Sequence, residues 1–226
     1  SNFLIALLFS SSIYLEYFNL TNIFINSILS LFSIYLILTV SKKNMFYVGF
    51  FVGILWFWWV GYSFVYYDLI YLIPLILISV GFIYGSLFYL TAFYSHIIYR
   101  IITFFILTFI SPFGFNWFKP ELIFINTIFG AGKLDFAIIL ISIGLFIYFK
   151  RIVFLLFLIL AISFKSVNIE KPNLKIYIPQ YNVTQENKWK RKYKNILIEK
   201  NLNNIDYAIK NNFDLIIMPE TIFPLY

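Results

Sequence analysis

Side chains able to move protons or attack a carbonyl are few in this chain. It has ten Asp and Glu, one His and no Cys among 226 residues. The lack of cysteine excludes disulfides, thiolate metal sites and a thiol nucleophile within these residues. No phosphate-binding loop, dinucleotide-type glycine fingerprint or zinc spacing is present, so neither a metal nor another cofactor is expected. His96, beside Arg100, reads as an interfacial residue rather than a catalytic one. Glu16, Asp68 and Asp135 fall at the ends of apolar segments and read as hydrated loop carboxylates. Glu220 differs. It follows Pro219, just past the strand-like run Phe213 to Met218, and a carboxylate beyond the carboxyl end of a parallel strand lies where α/β folds bind ligands. Position alone makes it a candidate functional residue; a helix cap or a loop hydrogen-bond acceptor is the competing role.

The elements that must carry these groups divide the chain in two. Apolar residues make up 62% and charged residues 12%, against about 45–50% and about 25% in ordinary soluble domains. That composition identifies a membrane protein. The formal charge of +7 is spread too thinly for a nucleic-acid face, and no nucleic acid is expected as a partner; the basic residues read as orientation signals. Residues 1–165 hold 8 of the 17 basic and 4 of the 10 acidic residues, and the short remainder holds the others. The expected organisation is a transmembrane helical bundle over 1–165 and a polar domain over 172–226.

The first part can be cut into about seven apolar segments, at roughly 3–18, 22–40, 45–67, 69–94, 97–114, 134–149 and 152–164, against the about 20 residues that a span needs. The last two are short. A single helix from Leu134 to Phe164 is the alternative, but it would bury Lys150 and Arg151 in the bilayer at about 2.5–3.5 kcal/mol each. A hairpin turning at Lys150-Arg151 is preferred. With the N-terminus inside, the inside loops carry Lys42, Lys43, Arg100, Lys150 and Arg151, and the outside loops Lys119 and Lys133. This asymmetry and the odd span count deliver the tail to the outer face, which in a bacterium is the periplasmic side of the inner membrane. Ser111 to Lys133, rich in Pro, Gly and aromatic residues, is expected to be an outer-face loop in the headgroup zone.

The tail opens as a β-α-β unit. Leu174 to Ile178 is a short strand, and Glu186 to Asn211 a helix with Trp189, Tyr193, Ile196, Leu197, Leu202, Ile205 and Ile209 on an apolar stripe. Phe213 to Met218 follows as a strand buried on both faces. Two strands and one helix do not close a core, so the chain is expected to be a fragment, open at both ends.

The run Gln180-Tyr181-Asn182-Val183-Thr184-Gln185-Glu186-Asn187-Lys188-Trp189 and, beyond the helix, Leu215-Ile216-Ile217-Met218-Pro219-Glu220-Thr221 together resemble the bacterial apolipoprotein N-acyltransferases. That family has a Q-x-N-x-x-Q-x-x-K-W stretch and then an apolar strand closing in W-P-E-[ST]. Gln180, Asn182, Gln185, Lys188 and Trp189 match in spacing, as do Pro219, Glu220 and Thr221. Tyr181 stands where a small residue is common, and Met218 where Trp is usual. Gly114-Phe115-Asn116-Trp117 is a weaker echo of the family's G-F-P-W. The resemblance covers the whole chain in architecture and about the first half of the family's length.

The resemblance implies a membrane all-α bundle of about seven transmembrane helices, followed by the start of an α/β nitrilase-like domain, an αββα sandwich on the periplasmic side. It implies an enzyme that transfers a fatty acyl chain from a phospholipid to the N-terminal diacylglyceryl-cysteine of lipoproteins through a cysteine thioester. Its partners would be the phospholipid donor, the diacylglyceryl-modified apolipoprotein acceptor and the membrane. Glu220 falls on the family's general-base glutamate. Trp189 matches a tryptophan near the acyl pocket, although a helix-face core residue is an equally good reading. The family's oxyanion-stabilising lysine and nucleophilic cysteine lie downstream, so this chain alone is expected to be inactive. Two readings compete: a non-enzymatic polytopic protein such as a permease subunit or scaffold, and amide hydrolysis as in soluble nitrilase relatives, against which the spans argue.

Overall fold

The computed structural model describes residues 1–65, 67–114, 116–163, 173–182 and 191–219. The chain divides into two compact units, Ser1–Lys165 and Ser166–Tyr226.

In the first unit the apolar segments fold as α1 (Asn2–Phe9), α2 (Ser11–Tyr17), α3 (Ile23–Thr39), α4 (Lys42–Phe57), α5 (Tyr62–Val65), α6 (Ile73–Thr91), α7 (Ile97–Ile106) and α8 (Lys133–Phe149). Local polar residues set their limits. Asn22 caps α3, its Oδ1 accepting from the N–H groups of Phe24 at 3.0 Å and Ile25 at 3.1 Å. The Ser10 and Ser11 hydroxyls donate to the carbonyls of Ala6 at 2.8 Å and Leu8 at 2.7 Å, the kind of back-bonding that bends helices. The first expected segment is therefore two helices. Ser10 Oγ also accepts from Trp56 Nε1 at 3.1 Å, which ties the bend to α4.

A 3-10 turn, Trp58–Gly61, carries α4 into α5, and another, Ile70–Leu72, leads into α6. The resulting helices, Lys42–Val65 of 24 residues and Ile70–Thr91 of 22, are long and apolar enough to cross a membrane. Ile23–Thr39, Ile97–Phe109 and Ile152–Ala161 are apolar but shorter. Helix length thus supports two crossings where seven were expected, because caps and bends cut the other segments below the about 20 residues of a full span. After α8 the chain does turn at Lys150, which is left-handed with φ 53° and ψ 34°. The returning segment, Ile152–Ala161, is a ten-residue 3-10 helix held along α8 by the Ser142 hydroxyl, which donates to the Phe154 carbonyl at 2.8 Å. In that geometry ten residues rise about 20 Å, against about 15 Å for an α-helix, which extends the reach of a short segment.

The bundle closes around aromatic rings. Phe9, Phe88, Phe104 and Phe118 are fully buried, and Phe118 packs on Trp56 and Tyr84 with ring centroids 4.8 and 4.9 Å apart. Gly49-x-x-x-Gly53 on α4 packs against Tyr84 and Phe88 of α6, and Gly81-x-x-x-Gly85 on α6 against Phe50 and Phe46 of α4, the small-residue spacing that lets membrane helices approach closely. A Cβ on Gly49 would lie 2.6 Å from the Tyr84 carbonyl oxygen. Outside, Phe24, Ile28, Leu75 and Leu156 are each more than half exposed, an apolar surface suited to lipid rather than water.

Two expectations are corrected here. Ser111 to Lys133 is not a plain surface loop, because part of it is buried against the helices. Phe118, Ile123 and Phe124 within it are about fully buried, as is Glu121 at 5% exposure. The serine stripe of α3 makes this possible: Ser30 Oγ donates to the Ile123 carbonyl at 2.7 Å, Ser27 Oγ accepts from the Ile128 N–H at 3.0 Å, and Asn26 Nδ2 donates to the Asn126 carbonyl at 3.3 Å. Irregular backbone can be buried away from water only where protein groups satisfy it in this way. Arg100, for its part, is not a loop cation. It sits in the first turn of α7, 7% exposed, and its Nη1 donates to the carbonyls of Leu38 at 3.1 Å and Val40 at 2.6 Å, closing the end of α3.

In the second unit β1 (Ile176–Tyr177) and β2 (Leu215–Ile216) pair in parallel, Ile176 against Leu215 and Tyr177 against Ile216. Between them in the chain comes α9 (Lys194–Lys210). The order is the expected one, but the strands are shorter. Asp214 interrupts the second run and turns outward, its Oδ2 accepting from the Lys175 N–H at 2.8 Å. Nor is β2 buried on both faces, since Leu215 is 43% exposed. On α9 the buried positions are Leu197, Asn201 and Ala208, while Ile196, Leu202 and Ile209 are more than half exposed. The expected stripe merged two faces, because Leu202 and Ile209 lie roughly 130° around the helix from Leu197.

Candidate functional site

The parallel pairing in the second unit carries both motif-bearing segments out of the same end of the sheet. Beyond β1 the chain passes the buried Pro179 to Gln180, Tyr181 and Asn182; beyond β2 it reaches Met218 and Pro219. Tyr181 Oη donates to Met218 Sδ at 3.8 Å and accepts from Asn204 Nδ2 of α9 at 3.0 Å. Asn204 Oδ1 in turn accepts from Tyr177 Oη at 3.1 Å. Lys200 Nζ donates to the Tyr181 carbonyl at 3.1 Å and stands over the Tyr181 ring at 5.3 Å. One chain of hydrogen bonds thus runs from β1 through α9 to the segment after β1 and ends on the residue before Pro219. Its chemical capacity is positional: it fixes the backbone that follows each strand, as far as Tyr181 and Met218. Glu220 itself lies outside the described residues, as do Trp189, Gln185, Lys188 and Thr221. The two positions at which the motifs depart from the family pattern, Tyr181 and Met218, are the pair that touch.

The first unit holds a second constellation, on the segment between α7 and α8. Lys119 Nζ and Lys133 Nζ both donate to the Thr108 carbonyl, at 2.9 and 3.0 Å. Lys133 Nζ also lies 3.8 Å from Glu121 Oε1 and 3.7 Å from the centre of the Phe109 ring. Glu121 Oε2 has no hydrogen-bond partner among the described residues. A buried carboxylate with one contact at 3.8 Å is incompletely compensated, and no motif in the sequence singles this residue out. Lys119 and Glu121 are separated from Lys133 by more than ten residues, so no local spacing shows that they meet. Close to the same segment lies a cavity of about 390 Å³ whose lining includes Glu16, Trp58, Trp59, Trp117 and Asn126. Trp59 and Trp117 have ring centroids 5.1 Å apart, and Asn126 Nδ2 donates to Glu16 Oε2.

The other polar residues fall into structural places. Asp135 caps α8, its Oδ2 accepting from the Gly132 N–H at 3.2 Å. Asp68 occupies a left-handed turn position with φ 57°. His96 is exposed at the start of α7, its ring 6.4 Å from that of Tyr148.

Residues 1–166 match the family described as the apolipoprotein N-acyltransferase integral membrane domain. The chain belongs to the apolipoprotein N-acyltransferase family. It is 36% identical over 224 residues to the apolipoprotein N-acyltransferase of Wolinella succinogenes, covering 97% of this chain and 54% of that protein. To that of Helicobacter hepaticus it is 34% identical over 203 residues, 87% of this chain and 51% of the relative. To that of Campylobacter jejuni subsp. jejuni it is 34% identical over 232 residues, 98% of this chain and 52% of the relative. The chain spans about half the length of these curated relatives. No solved structure matches it. The first unit thereby matches the family's integral membrane domain, and the relatives continue to match through the second unit, where Tyr181 of one motif touches Met218 of the other.

Proposed function

We propose that this chain supplies the membrane anchor and the opening of the catalytic domain of an apolipoprotein N-acyltransferase. The reaction moves a fatty acyl chain from a phospholipid to the free α-amino group of a diacylglyceryl-modified cysteine on a lipoprotein. The observation that carries this reading is the identity to relatives of that name across 97% of the chain, through the β-α-β unit as well as the bundle. It leaves a permease subunit or scaffold without support.

In this mechanism a cysteine thiolate, supplied from the part of the family's length not matched here, attacks the ester carbonyl of the donor and the lysophospholipid alkoxide leaves. The acceptor amine then attacks the thioester and the thiolate leaves. Glu220 is the general base of both halves: it takes the thiol proton and passes it to the leaving alkoxide, then takes the amine proton and returns it to the leaving thiolate. Pro219 before it removes one backbone donor and fixes the exit from β2, and the Tyr177-Asn204-Tyr181-Met218 chain supports that exit from below. Trp189 borders the acyl pocket. The acyl donor enters from the bilayer, and the tryptophan-lined cavity of the first unit has the mixed apolar and polar lining that an amphiphile needs. The apolar segments of the first unit cross the bacterial inner membrane with the N-terminus inside, and the nitrilase-like domain stands on the periplasmic side; Lys42, Lys43, Lys150 and Arg151 against Lys119 and Lys133 support that orientation.

The test uses the whole protein encoded by the gene, purified in detergent with a phospholipid bearing a labelled acyl chain and a diacylated lipopeptide. Parent protein yields triacylated product. Glu220→Gln keeps the shape and removes the basicity, so single-turnover thioester formation falls by about 10²–10⁴-fold with an unchanged melting temperature. Near-parental acylation by Glu220→Gln removes Glu220 from the mechanism, and no product from the parent removes the activity.

A further inference from the structure

Between α4 and α6, at the end where α4 begins, lies a groove of about 700 Å³, within the range of about 300–1,000 Å³ usual for small-molecule sites. Lys42 and Lys43 line it together with Phe46, Tyr47, Tyr89 and Leu90. Helical spacing sets Phe46 and Tyr47 one turn beyond the two lysines on the same face. The groove therefore has a cationic mouth and apolar walls. Tyr47 and Leu90 are each more than two-fifths exposed, so it opens on the side of the bundle that faces lipid.

The lysine pair is electrostatically uncompensated. Lys42 and Lys43 are the first two residues of α4, and no acidic residue stands in that first turn. The positive end of a helix dipole disfavours cations there. Neither lysine has a carboxylate partner among the described residues, where the ion pair found joins Lys133 to Glu121. Lys42 Nζ instead rests 3.6 Å from the centre of the Phe93 ring and 4.8 Å from that of Tyr89. A negative group placed at the mouth would answer both the dipole and the paired ammonium groups.

We propose that this groove is a binding site for an anionic phospholipid of the bilayer, its phosphate held between Lys42 and Lys43 and an acyl chain lying over Phe46, Tyr47 and Leu90. The apolar walls favour an amphiphile over a free anion. The two ammonium groups favour a headgroup of net negative charge over a zwitterionic one, as in other basic pockets between membrane helices. The site involves neither Glu220 nor the second unit, so its fate is separate from that of the acyl-transfer reading.

The chain is reconstituted in nanodiscs of mixed phosphatidylethanolamine and phosphatidylglycerol, and the lipids it retains are counted by native mass spectrometry. The parent retains phosphatidylglycerol selectively. Lys42→Gln/Lys43→Gln lowers that selectivity by about thirtyfold, as expected for two lysines near an anionic headgroup, and Lys43→Gln, which keeps the ring contacts of Lys42, lowers it by about fivefold. Ser86→Phe, at an exposed position of the same groove, fills it without changing charge and removes the retained lipid. The single variants melt with the parent in detergent alone. Equal retention of the two lipids by the parent, unchanged selectivity in the double variant, or unchanged retention in Ser86→Phe overturns the proposal. Displacement of the lipid by inorganic phosphate at comparable concentration also overturns it, since the site would then bind an anion and not a lipid.

Discussion

Replacing Gly49 by alanine probes how α4 packs on α6. A Cβ there would lie 2.6 Å from the Tyr84 carbonyl oxygen and 2.7 Å from Phe88 Cγ. The second distance is about 0.8 Å short of the about 3.5 Å at which carbon atoms normally meet. The Tyr84 oxygen belongs to the backbone, and Phe88 is fully buried among Phe9, Phe104 and Phe118. Neither can turn aside, so the two helices must part. Overpacking of this kind costs about 1–3 kcal/mol, and the helix propensity gained by Gly→Ala returns up to about 1 kcal/mol. The net loss is about 1–2 kcal/mol, or about 2–8 °C in melting temperature for a chain of this size. Gly81→Ala serves as the comparison, because its Cβ would meet only the far ring atoms of Phe50, the nearest at 2.8 Å. Phe50 is a partly exposed side chain that can swing, so propensity and displacement roughly cancel. Thermal unfolding of both variants in one detergent gives the answer. Gly49→Ala melting with or above the parent, or falling no further than Gly81→Ala, would refute the close approach of α4 and α6.

Three further outcomes are expected. Arg100→Met leaves the carbonyls of Leu38 and Val40 without their charged donor and lowers stability by about 2–3 kcal/mol; an unchanged melting temperature would show that water replaces the guanidinium. Lys133→Met strands the buried Glu121 carboxylate and destabilises more than Glu121→Gln, which removes the charge and keeps the shape; the reverse order in paired melts would mean that Glu121 is already neutral. Tyr181→Phe cuts the Tyr177-Asn204-Tyr181-Met218 chain at its centre and costs about 1 kcal/mol, and in the whole enzyme it lowers the acylation rate with little change in the apparent affinity for donor lipid; a rate equal to the parent's would confine Tyr181 to filling space.

The features legible in the sequence are those fixed by local chemistry. Asn22 marks the start of α3 because an Asn side chain satisfies the free N–H groups of the next turn. Lys150 marks the hairpin because two adjacent cations cannot be left in the middle of a span. The β-α-β order follows from the apolar runs on either side of a helical segment. The features missed depend on partners remote in sequence. Ser27 and Ser30 read as unremarkable positions in an apolar helix, yet they satisfy the backbone of residues 123–128. The mixed stripe on α9 conceals which face is buried, since Asn201 lies inside and Leu202 outside; hydrophobicity alone orders those two residues the other way.

The buried course of Ser111–Lys133 changes what this segment can contribute. A loop lying among headgroups would hold Trp117 and Asn126 only loosely. Here Asn126 is anchored twice, its carbonyl accepting from Asn26 and its side chain donating to Glu16, and Phe118, one residue from Trp117, is clamped among Trp56, Tyr84 and Phe88. The cavity wall these residues share is therefore set before any ligand arrives, and a pre-formed wall spares a lipid the cost of ordering it. Lys119 and Lys133, at the two ends of the segment, both donate to the Thr108 carbonyl, which holds those ends to the chain after α7. Ser27, Ser30 and Asn26 of α3 satisfy the backbone of that segment, which is how a sequence this apolar keeps a polar, glycine- and proline-containing stretch packed against its helices.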